Sequence, residues 1–359
     1  MKSMVSKLAT GIGFSGLLAA GVGAQSITPS STTATINIGE TITINKTITL
    51  GAVGATNVDV FFLADNTGSM GSVVSNAQAG ATAVMNNFGA GFQFGAGRYL
   101  GDPIEGVTPA TAYAQLQGLT SNKALVQTAI NSWFASGGGD TPEGNFYALA
   151  QVANTATWRV GAQRVLVWLG DATAHTETTT QAQAIAALAA KGIKVVAFNS
   201  GTVGNGIDGC YPSPSTGCVP GQATSVVNAV GGSLTHNLTS LSNAAFVAAV
   251  NAQISAATSN INLDFFSTLL NPGLSVSFRC TDALGCTNVA AGASRTFAVD
   301  ITGVAAGVYA FDVGARGVDA LENDLITVRG DTVVPEPASM ALVGAGLLVV
   351  AGFARRRRR

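Results

Sequence analysis

Two continuous apolar runs, Val165-Leu166-Val167-Trp168-Leu169 and Val195-Val196-Ala197-Phe198, constrain this chain more than any other feature. Each is too short for a buried helix, and neither shows the polar alternation of a strand with one wet face. They read as strands covered on both sides, which is the situation of a parallel sheet under two layers of helix. Around them, strands and helices take turns. Strands are expected at 58–64, 92–100, 113–120, 164–169, 193–199 and 232–237. Helices are expected between them at 70–88, 122–135, 142–154, 178–191, 222–230 and 240–257. The fold class implied is α/β, a doubly wound, mostly parallel sheet flanked by helices, of Rossmann-like type, over residues 57–257.

The flanks have another rhythm. Ala34, Ile36 and Ile38, then Ile42, Ile44, Ile48 and Leu50, recur with period two around Gly39-Glu40, which predicts a β-hairpin with one buried face over 26–55. Alternation returns over 258–331: Leu274, Val276 and Phe278 share a face, as do Phe297, Val299 and Ile301, and Tyr309, Phe311 and Val313. That segment is expected to be an antiparallel β-sandwich. It is small for seven strands, and a lone hairpin is marginal in water. The α/β domain is therefore expected to be inserted into one smaller antiparallel sandwich built from both flanks; two separate β pieces are the alternative.

The two ends carry processing signals. Residues 1–24 read as a signal peptide, with Lys2 and Lys7 before a small-residue apolar centre and Val22-Gly23-Ala24 as the cleavage site for signal peptidase. At 334–359, Val334-Pro335-Glu336-Pro337 precedes an apolar run from Ala338 to Ala354 and then five arginines. The run is at the short end of membrane-spanning length, and the arginines would stay cytoplasmic. Of 18 basic residues, seven (Lys2, Lys7, Arg355 to Arg359) belong to these ends, leaving 11 against 19 acidic ones. An acidic body without a basic patch excludes nucleic acid as partner. Cys210 and Cys218, and Cys280 and Cys286, each flank a turn-rich loop, so two local disulfides are expected in an exported chain, although four cysteines allow three connectivities. Zinc is not expected from this spacing.

Three loops carry candidate chemistry. Asp65-Asn66-Thr67-Gly68-Ser69 joins the first strand to its helix, placing a carboxylate and two hydroxyls at i, i+2 and i+4. At the carboxyl end of a parallel strand, that is where open α/β sheets place ligands. The second loop, Gly137 to Gly144, offers Asp140, Thr141 and Glu143; the third offers Asp171 directly after the strand 164–169. Oxygen donors alone suit a hard cation, Mg2+ or else Mn2+ or Ca2+. Taken singly, the first two loops read more readily as helix capping, and the third equally well as a turn. A serine hydrolase is a poor alternative, because Thr67-Gly68-Ser69-Met70-Gly71 lacks the first glycine of a nucleophile elbow, and the histidines read as ordinary surface or loop residues. The glycines of 91–97 lack the Gly-Lys-Ser/Thr end of a phosphate loop.

Together the three loops resemble the von Willebrand factor type A (VWA) domain and its metal-ion-dependent adhesion site, over about residues 57–257. Asp65, Thr67 and Ser69 match the D-x-[ST]-x-S loop, and Asp171 matches the third-loop aspartate. Asp140-Thr141-Pro142-Glu143 resembles the D-x-P-E loop of integrin β subunits more than the lone threonine of integrin α subunits. The first likeness implies Glu143 as the second-loop ligand and Asp140 beside an adjacent cation; the second implies Thr141. The carboxyl end resembles the PEP-CTERM sorting signal of Gram-negative bacteria, cut by an exosortase. The resemblances imply an exported, non-enzymatic protein, anchored in the membrane by the C-terminal helix before processing. It would use a cation to bind an acidic group of a protein or polysaccharide. A purely structural component of an extracellular matrix is the competing reading.

Overall fold

The computed structural model describes residues 25–51, 57–103, 107–138, 141–210, 220–269, 272–318 and 320–330. The expected signal peptide, the sorting segment 334–359, Asp140 and Cys218 lie outside the described residues.

The chain starts with strands β1 (Ser26–Thr28), β2 (Ser31–Asn37) and β3 (Thr41–Thr49). The α/β domain follows as β4 (Val58–Asp65), α1 (Gly71–Asn86), β5 (Phe92–Tyr99), α2 (Pro109–Ala112), β6 (Tyr113–Thr120), α3 (Lys123–Asn131), α4 (Asn145–Thr155), β7 (Gln163–Gly170), α5 (Gln181–Ala190), β8 (Ile193–Asn199), α6 (Gln222–Val230), β9 (Ser233–Thr235) and α7 (Asn243–Ser259). The remainder is all β: β10 (Asn260–Ile261), β11 (Phe265–Ser267), β12 (Leu274–Cys280), β13 (Val289–Ala290), β14 (Ser294–Gly303), β15 (Gly307–Ala315) and β16 (Leu321–Arg329).

The central sheet has the order β6-β5-β4-β7-β8-β9. Every pair is parallel except β5 with the edge strand β6. Its middle strands divide their side chains between two cores. Val58, Val60 and Phe62 of β4 and Val165 and Val167 of β7 join Val74, Ala77, Ile130 and Val250 on the face of α1, α3 and α7. Phe61, Leu63, Leu166 and Trp168 join Phe146, Leu149, Leu188 and Val226 on the face of α4, α5 and α6. Burial on both faces explains the unbroken apolar runs. The glycines of β5 are explained here too: a Cβ on Gly95 would lie 2.8 Å from the ring of Phe61, so the strand is bare where that ring crosses it.

Most helices start later than expected, and one shift matters. The second-loop helix begins at Asn145 rather than 142, because Glu143 is held extended in a parallel bridge with Ala174. The helix expected from 70 starts at Gly71, after a 3-10 turn over Gly68–Met70.

The flanks form one sandwich, with sheets β1-β3-β14-β12 and β11-β15-β16-β2. Strand β3 pairs with β14 from Thr41–Thr302 to Thr49–Ser294, so residues before and after the α/β domain share one sheet. The two sheets meet in a common core, where Phe265 stacks on Phe297 with ring centroids 4.0 Å apart. Two expectations are corrected. Residues 31–49 are not a hairpin: β2 and β3 lie in opposite sheets, because each buries an inner row (Ile36 on one, Ile48 on the other) against the other across the core. The intervening turn, with Gly39 at φ +82°, is tied to the sheet edges by Ile38 N–H to Arg329 O and Gly39 N–H to Gly303 O, and it leaves Ile38 exposed. Nor is the sandwich wholly antiparallel, since β2 runs parallel to β16. Cys280 and Cys286 form a disulfide, and Cys210 is disulfide-bonded. Among the described residues no helix is long and apolar enough to cross a membrane.

Candidate functional site

Strand order reverses between β4 and β7, which continue the chain toward opposite edges of the sheet. At such a switch point, open α/β sheets bind ligands at the carboxyl ends of the strands. Asp65 ends β4, and Asp171 follows the last residue of β7.

Asp65 is fully buried. Its Oδ1 accepts the Thr67 backbone N–H at 2.8 Å, which turns the chain sharply after β4. Its Oδ2 has no hydrogen-bond partner among the described residues. Thr67 Oγ1 lies 3.4 Å from Ser69 Oγ, and the Ser69 hydroxyl is hydrogen-bonded to the Asp171 carboxylate. Asp171 Oδ1 also lacks a partner among the described residues. Thr67 is buried, whereas Gly68 and Ser69 are exposed, so the cluster opens to solvent on that side.

The second loop is fastened to the first by Ser136 N–H to Asn66 O and Gly68 N–H to Gly137 O. Glu143 is 3 % exposed and is placed by backbone bonds on both sides: its N–H donates to Thr173 O, and its C=O accepts the His175 N–H. The next residue fits only as glycine, because a Cβ on Gly144 would lie 2.5 Å from Gly101 O. Gly138, at φ +107°, occupies the gap between Glu143 and Thr67: a Cβ there would be 3.1 Å from Glu143 Oε1 and 3.3 Å from Thr67 Cβ. Glu143 Oε1 and Thr67 therefore lie on either side of Gly138. Thr141 is exposed on the rim.

The electrostatics follow from this crowding. Burial, reinforced by the charge of Asp171, pushes the Asp65 carboxyl from 3.8 up to about 7. Burial also raises Asp171, against the Ser69 hydrogen bond that lowers it. The Tyr99 phenol, hydrogen-bonded to Leu169 O and Trp168 Nε1–H, is raised by burial and by the charges of Asp65, Asp171 and Glu143. Among the described residues no lysine or arginine is paired with Asp65 or Asp171. Buried carboxylate oxygens without donors, next to neutral hydroxyls, form a donor set that a hard divalent cation fits.

One neighbouring group escaped the sequence reading. Asp102, His175 and Glu177 bring potential ligand atoms within 4.8 Å of one another. Asp102 and His175 are buried, contrary to the expectation of an ordinary loop histidine, and His175 Nδ1 lies 3.1 Å from Glu177 Oε2. The signal available was position: Asp102 follows β5, another parallel strand ending at the same edge of the sheet. His175 is thus engaged with Glu177, while the Ser69 hydroxyl is engaged with Asp171 and Thr67.

Residues 102–263 match the family model of the integrin beta chain VWA domain, and residues 333–359 match the PEP-CTERM protein-sorting motif. The first match begins after the Asp65 loop and includes the second and third loops. Similar solved structures include a von Willebrand factor type A protein from Catenulispora acidiphila, at 13 % identity over 86 % of this chain and 74 % of that one, with a TM-score of 0.44. Proximal thread matrix protein 1 from the mussel byssus is 15 % identical over 61 % of this chain and 48 % of its own, with a TM-score of 0.41. The conserved hypothetical protein BatB from Bacteroides thetaiotaomicron is 17 % identical over 56 % of this chain and 98 % of its own, with a TM-score of 0.40. None of these reaches a TM-score of 0.5, so the fold assignment rests on strand topology and the family match. The comparison with curated proteins found no match.

Proposed function

We propose, for a chain that carries an integrin-beta-type VWA domain and a PEP-CTERM sorting motif, that it is an exported adhesion protein that binds an acidic partner through a divalent cation. The observation that carries this reading is the convergence of Asp65, Thr67, Ser69, Glu143 and Asp171 from three loops, with two buried carboxylate oxygens that have no donor among the described residues.

Asp65, Asp171 and Glu143 would supply the negative charge, and Thr67 and Ser69 neutral oxygens. The cation, Mg2+ with Mn2+ or Ca2+ as substitutes, would offer an open coordination position to a carboxylate of the partner, a protein or a polysaccharide. Burial of Glu143 and exposure of Thr141 favour Glu143 as the second-loop ligand. Asp140 would serve an adjacent cation. Asp65 and the Thr67 N–H hold the loop in shape, and Ser69 and Gly68 leave the approach open.

The PEP-CTERM motif implies export and surface sorting by an exosortase. On this reading signal peptidase removes 1–24, and the apolar run before the arginines anchors the chain in the inner membrane until the exosortase cuts. The test is binding of the purified protein to an immobilised acidic polysaccharide and to an acidic peptide, with Mg2+ and with EDTA. Wild type should bind at least one of them, and both EDTA and Asp65→Ala should abolish that binding. Binding that is indifferent to EDTA and to Asp65→Ala overturns the reading.

A further inference from the structure

The sandwich core holds a second unusual group of charges, outside the loops described above. Lys46 lies on the inner face of β3, in the row that also carries Ile42, Ile44 and Ile48. Facing it on the inner row of β16 are Glu322 and Asp324. All three side chains are essentially inaccessible to solvent, at 0 %, 1 % and 0 % exposure. Lys46 Nζ is 3.1 Å from Asp324 Oδ1 and 2.5 Å from Glu322 Oε1, and it donates to Thr32 Oγ1 at 3.2 Å. Apolar side chains surround the group: Phe297 pairs with Lys46, Phe311 pairs with Asp324, and both rings are buried.

This arrangement is costly as a mere ion pair. Strand β16 turns Glu322 and Asp324 inward while Leu321 and Leu325 face solvent, the reverse of what hydrophobic burial favours. One ammonium also faces two carboxyls, so one negative charge is left over in a dry core. The surplus is relieved by protonation: burial, with the charge of Asp324, pushes the Glu322 carboxyl up to about 7, against the contacts with Lys46 that lower it. An amine, a carboxyl and a second carboxyl able to hold a proton near neutral pH therefore meet in a site that excludes water.

We propose that Lys46 and Asp324 condense into an amide, with Glu322 carrying the proton, so that a covalent cross-link fastens β3 to β16 through the sandwich core. The Lys46 ammonium gives one proton to Asp324, leaving a neutral amine and a carboxylic acid. The amine lone pair attacks Asp324 Cγ. Glu322 takes the second proton from the nitrogen and passes it to the Asp324 hydroxyl. The N–C bond forms, the C–O bond breaks, and one water leaves; no oxidant, cofactor or nucleotide is consumed. Proximity supplies what activation would supply in solution. The product replaces two buried charges by one neutral amide, and a dry core shields it from hydrolysis. The partners are 278 positions apart, so the link closes a loop containing the whole α/β domain and pins the last strand before the sorting segment.

The test is mass spectrometry of the full-length protein as purified, denatured and reduced, before and after proteolysis. The expected result is an intact mass one water below that of the linear chain, and a branched peptide joining the Lys46 and Asp324 segments. A linear mass, with peptides containing Lys46 found only unbranched, overturns the proposal. Glu322→Gln preserves size and should fold yet remain mostly linear; if it cross-links as fully and as fast as wild type, the role given to Glu322 is wrong. Asp324→Asn should give the same final mass as cross-linked wild type, because ammonia leaves in place of water. These two variants keep the test open if Lys46→Arg, which should stay linear, fails to fold.

Discussion

Replacing Asp65 by Asn should make the metal-free protein more stable while removing its response to cations. The Asp65 carboxyl is moved from 3.8 to about 7 by burial and by Asp171. That gap corresponds to about 4 kcal/mol against the ionised form. Relaxation and water entry reduce it, so about 2 kcal/mol is a working figure. Asn keeps the oxygen that accepts the Thr67 N–H, replaces the partnerless Oδ2 by an amide NH2, and removes the charge. For a domain of this size, about 2 kcal/mol should raise Tm by about 4–8 °C in EDTA at pH 8. The pH dependence has a definite sign. A carboxyl whose pKa is raised on folding contributes stability that is complete below about 3.8 and lost as pH rises through about 7, so the advantage of Asn should shrink from pH 8 to pH 5. With Mg2+ at a hundred times its Kd, the wild type should gain about 2.7 kcal/mol and the variant almost none. Differential scanning calorimetry of both proteins, in EDTA and in Mg2+, at the two pH values, decides the matter. An Asp65→Asn protein that melts no higher than wild type in EDTA at pH 8, or that gains as much from Mg2+, refutes the reasoning.

The second loop gives a sharper contrast. Glu143→Gln should weaken Mg2+ binding more than tenfold by isothermal titration calorimetry, whereas Thr141→Ala, on the exposed rim, should leave it within twofold. Deleting residues 26–50 should unfold the sandwich, because β3 supplies the inner neighbour of β14 and β2 closes the other sheet; limited proteolysis should then degrade 258–330 rapidly, and survival of that segment as a resistant fragment contradicts the shared sandwich.

The elements of the α/β domain were legible because local patterns encode them. Apolar runs at Val165–Leu169 and Val195–Phe198 mark strands covered on both faces, and the Asp65 and Asp171 loops stand at the ends of such strands. The error at 31–49 has a physical cause: alternation states which face of a strand is buried, not which neighbour it bonds. Two alternating strands around Gly39 fit a hairpin as well as a crossing between sheets, and only the match of β3 to β14 and of β2 to β16 decides. Glu143 was expected as the second-loop ligand through the resemblance to the integrin β loop, with Thr141 as the alternative, whereas its burial and backbone placement come from bonds to Thr173 and His175 on another loop.

By itself, the sequence determined the layering of the α/β domain, the oxygen donors of its three loops and the sorting motif at the carboxyl end, because each depends on residues within a few positions of one another. Tertiary structure alone decided what faces what. Lys46 interrupts the isoleucine row of β3, and as a local pattern it is only a misfit. Its meaning comes from Glu322 and Asp324 on the last strand, which chain connectivity cannot place beside it; burial in a core shared by both sheets does.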